Sequence, residues 1–404
     1  MEKRLKLNSS LLEKTLVPFN LIHLKKLVVA GLLFSFPVLL FAQNDFNIKD
    51  VSGFQDSRHH WMDITDHEQV IVPLKNQPRY KAENIRGIAD NILLYQQPNA
   101  GWPKNYDMLA ILTEDQKAIL LQHKDSLHTS FDNGATYTQI AYLSKAYTLL
   151  GDTKYKEAAL RGLRFILTAQ YENGGWPQFY PDVSGYRKYI TFNDGAMIGV
   201  MKVLQDISQN QPYYSFINQQ VRKEAINAYQ KGISCILKCQ VVEDGKPTVW
   251  CQQHDNITLQ PVGARTFELP SKASEESAEI VRLLMQIKNP NAQIINAVKN
   301  AIAWFQKVAI KDERVEIIAA KDVVYKFHEA KTDKIVVHDS AAPPVWTRYY
   351  ELETNRPLFA NRDGKKVYHL SDVARERRTG YAWYGYWPQK IISSEYPAWL
   401  KRIE

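Results

Sequence analysis

Cysteine is scarce in this chain, and the scarcity excludes a disulfide scaffold. Three cysteines in 404 residues cannot build a disulfide framework. Cys235 and Cys239 lie four apart in a predicted helix, with Cys251 nearby, but spacing supplies no fourth ligand for zinc. They read as small buried thiols. A dense lysine–arginine stripe is also missing, and with it the footprint of a nucleic-acid binder. The chain carries +8 overall. Residues 1–42 hold six of its basic and two of its acidic side chains, leaving 45 basic against 41 acidic in the rest. That mild excess is compatible with a polyanionic ligand. No apolar run reaches membrane length. The longest, 27–41, is 15 residues, short of the roughly 20 that cross a bilayer. Lys25 and Lys26 precede it and Ala42 follows it, so 1–42 reads as a secretory signal peptide. The expectation is a secreted or periplasmic monomer, with 43–404 as a single domain and no stable membrane span once the signal is removed.

What is abundant is helical periodicity. Segments 85–95, 137–150, 155–169, 196–207, 220–237 and 278–285 repeat apolar residues near every 3.6 positions. Gly151-Asp152 and Asn173-Gly174-Gly175 break them into helix–turn–helix pairs. Gly101-Trp102-Pro103 and Gly175-Trp176-Pro177 recur at the ends of two units. This faint internal repeat predicts a mainly α fold, an (α/α) toroid or barrel of helix hairpins with loops gathered at one face. After residue 310 the pattern changes. Short strands are predicted over 315–318, 323–327 and 335–337, followed by an aromatic, arginine-rich stretch. No linker separates it, so a smaller β-rich C-terminal portion is expected to share the site.

Two matched acidic turns stand out. Phe131-Asp132-Asn133-Gly134-Ala135-Thr136 and Phe192-Asn193-Asp194-Gly195-Ala196-Met197 each set carboxylate and amide oxygens beside a glycine at the mouth of a helix. Oxygens of this kind suit a hard cation such as calcium. Helix capping is the plainer alternative. Arg265, Arg348 and Arg362 sit in irregular, aromatic-rich sequence, where a guanidinium fork matches a carboxylate. Trp176 reads either as packing or, more sharply, as a platform on which a sugar stacks. Acidic turns, arginines and aromatics together suit an acidic polysaccharide.

These segments carry a resemblance. FDNGAT at 131–136, NGGWPQFYP at 173–181, TFNDGAM at 191–197, WCQQHD at 250–255, ARTFELPS at 264–271 and RYYELETNRPLFANRDG at 348–364 occur in the order found in family 10 pectate lyases. Together they span most of 80–390. The resemblance implies calcium dependence and anti β-elimination of polygalacturonate. Carried over by position, it makes Asp132 and Asp194 metal ligands and sets Asn133 beside them. It makes Arg265 the catalytic base, places Lys231 near an active-site lysine, and makes Arg348 and Arg362 ligands of uronate carboxylates. Asn133 and Trp176 are counted on the substrate side. The chain departs from the family at His254, where a tyrosine-like residue is usual. Arginine is a base only where its proton affinity is depressed, here by Ca²⁺ and Lys231, or where pH is high. An alkaline optimum is therefore expected. Two other readings remain: an (α/α) glycoside hydrolase using Glu268 and Asp255 as its carboxylate pair, and a non-catalytic polyuronate-binding surface protein.

Overall fold

The computed structural model describes residues 46–404 apart from 65–68 and 125–126. The expected signal peptide lies outside the described residues. Among the described residues the architecture is carried by α1 (Gln55–Met62), α2 (Ile85–Tyr95), α3 (Glu114–Gln122), α4 (Tyr137–Leu150), α5 (Thr153–Ala169), α6 (Ala196–Ser208), α7 (Gln219–Lys238), α8 (Ser274–Met285) and α9 (Ala292–Lys307), with two further short helices, Arg375–Thr379 and Tyr396–Ile403, near the C-terminus. The bonds that end and begin them follow from local sequence. Gly151 adopts φ 68° and terminates α4, a left-handed position that glycine fills without strain. Asp152, Asn218 and Asn291 each accept a backbone N–H at the start of α5, α7 and α9, satisfying an otherwise orphan donor.

Consecutive helices pair as α4–α5, α6–α7 and α8–α9, and two rows result: α4, α6 and α8 in one, and α2, α5, α7 and α9 in the other. α6 is buried nearly all round, with Met197, Ile198, Val200, Met201, Val203 and Leu204 inside, as a central helix must be. α5 instead buries one stripe, Tyr155, Ala158, Ala159, Gly162, Leu163 and Ile166.

A repeated device ties the second row together. The indole N–H of Trp102 donates to Ile92 O at 2.9 Å, that of Trp176 to Ile166 O at 2.8 Å and that of Trp250 to Ile236 O at 2.7 Å. Each nails a loop to the last turn of α2, α5 or α7, where carbonyls lack helical partners. Beside each nail a glutamine amide reaches the next helix. Gln96 donates to Ala158 O, Gln170 to Ala228 O and Gln240 to Ala297 O. The Gly-Trp-Pro recurrence in the sequence is this rung. It corrects the reading of Trp176. The ring is fully buried and offers no face to a sugar.

Beyond α9 the predicted short strands merge into two longer ones, Glu313–Val324 and Glu329–His338, paired antiparallel with an irregularity between Ala319 and Val323. Phe327 falls in the turn, not in a strand. The other pairings are two residues long, and they matter for position. Lys272–Ala273 pairs with Tyr349–Tyr350, and Trp346–Thr347 pairs with Tyr384–Gly385. They bring three distant segments to the start of α8. Residues from Asp45 onward form one compact unit. No helix among the described residues is long and apolar enough to cross a membrane. Cys235, Cys239 and Cys251 are all buried.

Candidate active site

The two acidic turns meet at the ends of α4 and α6 and pack on one another. Each hangs from a Trp-x-Gln segment of the rung. Phe131 N donates to Gln178 O at 2.9 Å, and Phe192 N donates to Gln252 O at 2.8 Å. At matching positions Asn133 and Asp194 adopt φ 50° and 49°. Asn and Asp are the side-chain-bearing residues that best tolerate that region, and the following glycines, at φ 82° and 70°, continue it. Gly134 has no room for a Cβ, which would sit 2.9 Å from Gly53 O.

The turns do not cap the helices that follow them: neither α4 nor α6 has a side-chain cap. Their oxygens go elsewhere. Asp132 Oδ2 accepts from Lys104 Nζ at 2.8 Å, while Asp132 Oδ1 and Asn133 Oδ1 are buried without a hydrogen-bond partner among the described residues. Burial pushes the Asp132 carboxyl up, but the Lys104 charge and hydrogen bond hold it below its ordinary value. Asp194 goes the other way. Burial and the nearby Asp132 raise it, against the pull of Arg348.

Arg348 closes the cluster. It is buried, and its Nη2 donates to Glu276 Oε1 at 2.6 Å and to Asn193 Oδ1 at 2.9 Å, with Asp194 Oδ1 at 3.4 Å. Its Nε lies 3.0 Å from Glu275 Oε2. Backbone pairing delivers it there: Ser274 N donates to Arg348 O and Arg348 N to Trp383 O. In this structure the Arg348 fork is thus committed to the protein's own carboxylates, and it stays charged in their company. Asp56 on α1 and Glu275 on α8 line the cleft beside Asp194, about 580 Å³ in volume. Burial, then the neighbouring carboxylates, push Asp56 up to about 7. Glu275 is pushed up to about 8 by burial, with Glu276, Asp194 and Asp56 adding to it and Arg348 opposing.

Arg265 joins the same constellation through Glu268, which accepts from Tyr381 Oη at 3.0 Å, and the Tyr381 ring lies 5.0 Å from the Arg348 guanidinium. The Arg265 side chain is 43% exposed and forks onto buried Glu268. Nε meets Oε2 at 2.9 Å and Nη2 meets Oε1. Glu268 outweighs burial and holds the guanidinium proton more tightly than usual. Arg362 grips Glu376 with Nε and Nη2 at 2.9 and 2.8 Å. The loops of Arg265 and Arg362 are joined by Thr266 Oγ1 donating to Arg362 O at 2.7 Å. Arg265, Arg362 and Arg377 all face the Phe267 ring, at 4.9, 5.5 and 4.6 Å.

Lys231 makes no hydrogen bond or ion pair with this cluster among the described residues. Its side chain is exposed on α7, and its carbonyl packs where a Cβ of Gly174 would lie. Among the described residues no hydrogen bond or ion pair joins this lysine to Arg265, so nothing here supports the expectation that it depresses Arg265. The hydrolase pair fares no better. Asp255 accepts from the N–H groups of Ile257 and Thr258, which with its threonine contacts hold it below the ordinary range. Arg265 holds Glu268 low against burial. Neither can serve as the protonated acid that a hydrolase requires.

The donor set fits calcium in kind. It is all oxygen, with two buried acceptors unsatisfied in the first turn and a crowded carboxylate in the second. No three His, Cys, Asp or Glu side chains among the described residues already converge as a metal site, so further oxygens must come from elsewhere. Sequence reasoning missed Asp56, Lys104, Glu275, Glu276, Glu376, Arg377 and Tyr381.

His254 supports the second turn. Its strand, Gln253–His254, pairs with Ile190–Thr191. Cys251 N–H donates to Nε2 at 3.1 Å, and Nδ1 faces Leu259 O at 2.9 Å, so the neutral ring is held on both sides. Burial pushes its pKa down to about 4. An unfolded histidine titrates near 6.5, so this stability is full above that pH and lost as pH falls towards 4, about 3 kcal/mol in all. Urea midpoints of wild type should fall more between pH 6.5 and 4.5 than those of His254→Gln. Equal falls would contradict the assignment.

The chain is similar to known proteins over most of its length. Residues 96–392 match the family model described as pectic acid lyase. A family 10 polysaccharide lyase from Cellvibrio cellulosa is 31% identical with a TM-score of 0.66, covering 79% of this chain and 96% of that one. An aspartate-to-alanine mutant of a family 10 polysaccharide lyase from the same organism, solved with trigalacturonic acid, is 30% identical with a TM-score of 0.66, covering 78% and 96%. No curated protein sequence matches. The family match runs over most of the chain and takes in both acidic turns, Arg265, Arg348 and Arg362, and the chain belongs to the pectic acid lyase family, as a lyase acting on polysaccharides.

Proposed function

We infer that the protein is a secreted pectate lyase, its two helix rows closing as an (α/α) toroid. It cleaves de-esterified polygalacturonate by calcium-assisted anti β-elimination with Arg265 as base, leaving 4,5-unsaturated oligogalacturonates. The observation that carries this reading is the series of contacts from Arg265 through Glu268, Tyr381 and Arg348 to the Asp194 turn, which packs on the Asp132 turn. The solved relative that holds trigalacturonic acid supports the substrate class. Membership of a lyase family leaves the non-catalytic reading without support.

Asp132, Asn133 and Asp194 would hold the ion. When bound, calcium supplies Lewis-acid withdrawal of charge from a uronate carboxylate, which acidifies the proton on C5. Arg265 takes that proton. The C5–H electron pair becomes the C4–C5 double bond, and the C4–O bond breaks with its pair going to the departing oxygen, which then gains a proton. Arg265 must first shed a proton that Glu268 helps it keep, which supports an alkaline optimum. Arg362, 41% exposed at the rim, meets a second uronate carboxylate.

Incubation with polygalacturonate and Ca²⁺ should generate ultraviolet absorbance from the unsaturated product, and neutral galactan should give none. Reducing ends without that absorbance would sink elimination. Arg362→Lys should raise KM on polygalacturonate by about tenfold with kcat nearly kept, because a point charge lacks the planar fork. Equal rates on methylated and unmethylated polymer would remove the carboxylate ligands from the account.

A further inference from the structure

Glu268 is a buried carboxylate whose oxygens are all engaged. Oε2 accepts from Arg265 Nε at 2.9 Å and from Arg265 backbone N at 3.1 Å. Oε1 accepts from Arg265 Nη2 and from Tyr381 Oη at 3.0 Å. Tyr381 Oη in turn shares a hydrogen bond of 2.5 Å with Tyr349 Oη. The Tyr381 ring lies beneath the Arg348 guanidinium, 5.0 Å from its centre, and Arg348 reaches Asn193, Asp194 and Glu276. One continuous series of contacts therefore runs from Arg265 to the second acidic turn, joining residues more than a hundred positions apart.

This wiring selects an atom. Nε and Nη2 of Arg265 are both committed to Glu268, so the plane of the guanidinium is fixed. Among the described residues Nη1 has no hydrogen-bond partner. We propose that Glu268 and Tyr381 are positioning residues of the lyase site: they clamp Arg265 so that Nη1 alone is presented to the substrate, and they set that atom relative to the Asp194 turn. The inference rests on the lyase reading given above.

The clamp has two separable consequences. Geometry comes first. A guanidinium freed to rotate about its last side-chain bonds spends little time with Nη1 in place, and misplacement by about 1 Å costs on the order of 10² in rate. Charge comes second. The carboxylate favours the protonated form of Arg265, so replacing it by a neutral amide moves the rising limb of the rate profile to lower pH. Tyr381 is itself held protonated, chiefly by burial, so it remains a donor to Glu268 throughout the working range.

The test is kcat and KM on polygalacturonate with Ca²⁺, measured from pH 6 to 11 for wild type, Glu268→Gln and Tyr381→Phe. Thermal unfolding of each variant is recorded alongside. Glu268→Gln should lower kcat by about 10²-fold with KM kept within about threefold, and its rising limb should shift to lower pH. Tyr381→Phe keeps the ring against Arg348 and should lower kcat by about tenfold at unchanged KM and an unfolding temperature close to wild type. A Glu268→Gln enzyme with wild-type kcat overturns the proposal, and so does one with lowered kcat and an unmoved limb, since that is the mark of general damage. If Glu268→Gln does not fold, Tyr381→Phe decides: wild-type kcat overturns the proposal, and a selective kcat loss sustains it. Wild-type enzyme that makes no unsaturated product sinks the lyase reading and this inference together. An active wild type with unaffected variants sinks only the clamp.

Discussion

Arg265→Ala is expected to lower kcat on polygalacturonate by about 10²–10⁴-fold, the usual worth of positioned proton transfer. The folded state should survive. The loop is anchored by buried Phe267 and by Thr266 on Arg362 O, not by the half-exposed Arg265 side chain. The substitution does leave Glu268 buried with Tyr381 as its remaining side-chain donor. Losing the partner of a buried charge costs about 3–5 kcal/mol at worst, so a lowered unfolding temperature is part of the expectation. Pairing it with Glu268→Gln should recover stability without recovering rate. Arg265→Lys should rescue little. An ammonium cannot span both Glu268 oxygens and still present a second nitrogen outward. If Arg265 only binds substrate, the loss appears as a raised KM with kcat nearly kept, and a base would have to be sought elsewhere.

The helix pairs and the acidic turns were legible because their signals are local. Apolar residues at helical spacing gave α4 to α7, and Asn and Asp beside glycine gave the left-handed turns at Asn133 and Asp194. The role of Trp176 was not legible. A tryptophan after two glycines looks the same whether its ring meets a sugar or a helix end, and only the bond to Ile166 O decides. Glu275 and Glu276 were hidden by a bland expectation. Acidic residues in the first turn of a helix are ordinary partners of its dipole. Nothing local says that Arg348, more than seventy residues later, will be paired against them. Glu268 was in view only as half of a hydrolase pair, and its bond to Tyr381 was hidden in the same way, across 113 positions. For Lys231 the sequence offers only nearness to a motif, and helix phase leaves its side chain exposed.

Removing calcium is expected to abolish activity, with re-addition restoring it, and the same ion should stabilise the fold more at pH 8.5 than at pH 5.5. The second expectation follows from the crowded carboxylates. Asp56 and Glu275 face Asp194, Asp132 and Glu276, with the His59 and His60 rings and the Arg348 guanidinium nearby. Their folded pKa values, about 7 and about 8, lie above the unfolded values near 4. A raised carboxyl binds more protons folded than unfolded, so its contribution is intact below pH 4 and is lost as pH rises through 7 to 8. Asp56 is half exposed and water screens its share, so Glu275, two-thirds buried, carries more of the effect. A divalent cation among these oxygens offsets the repulsion once the protons have gone. Thermal unfolding of chelated and calcium-loaded protein at the two pH values measures the difference directly. Asp194→Ala should shrink the calcium-induced shift and lower kcat by at least about 10²-fold. Full activity after chelation, or a calcium shift no larger at pH 8.5 than at pH 5.5, would remove the ion from these turns.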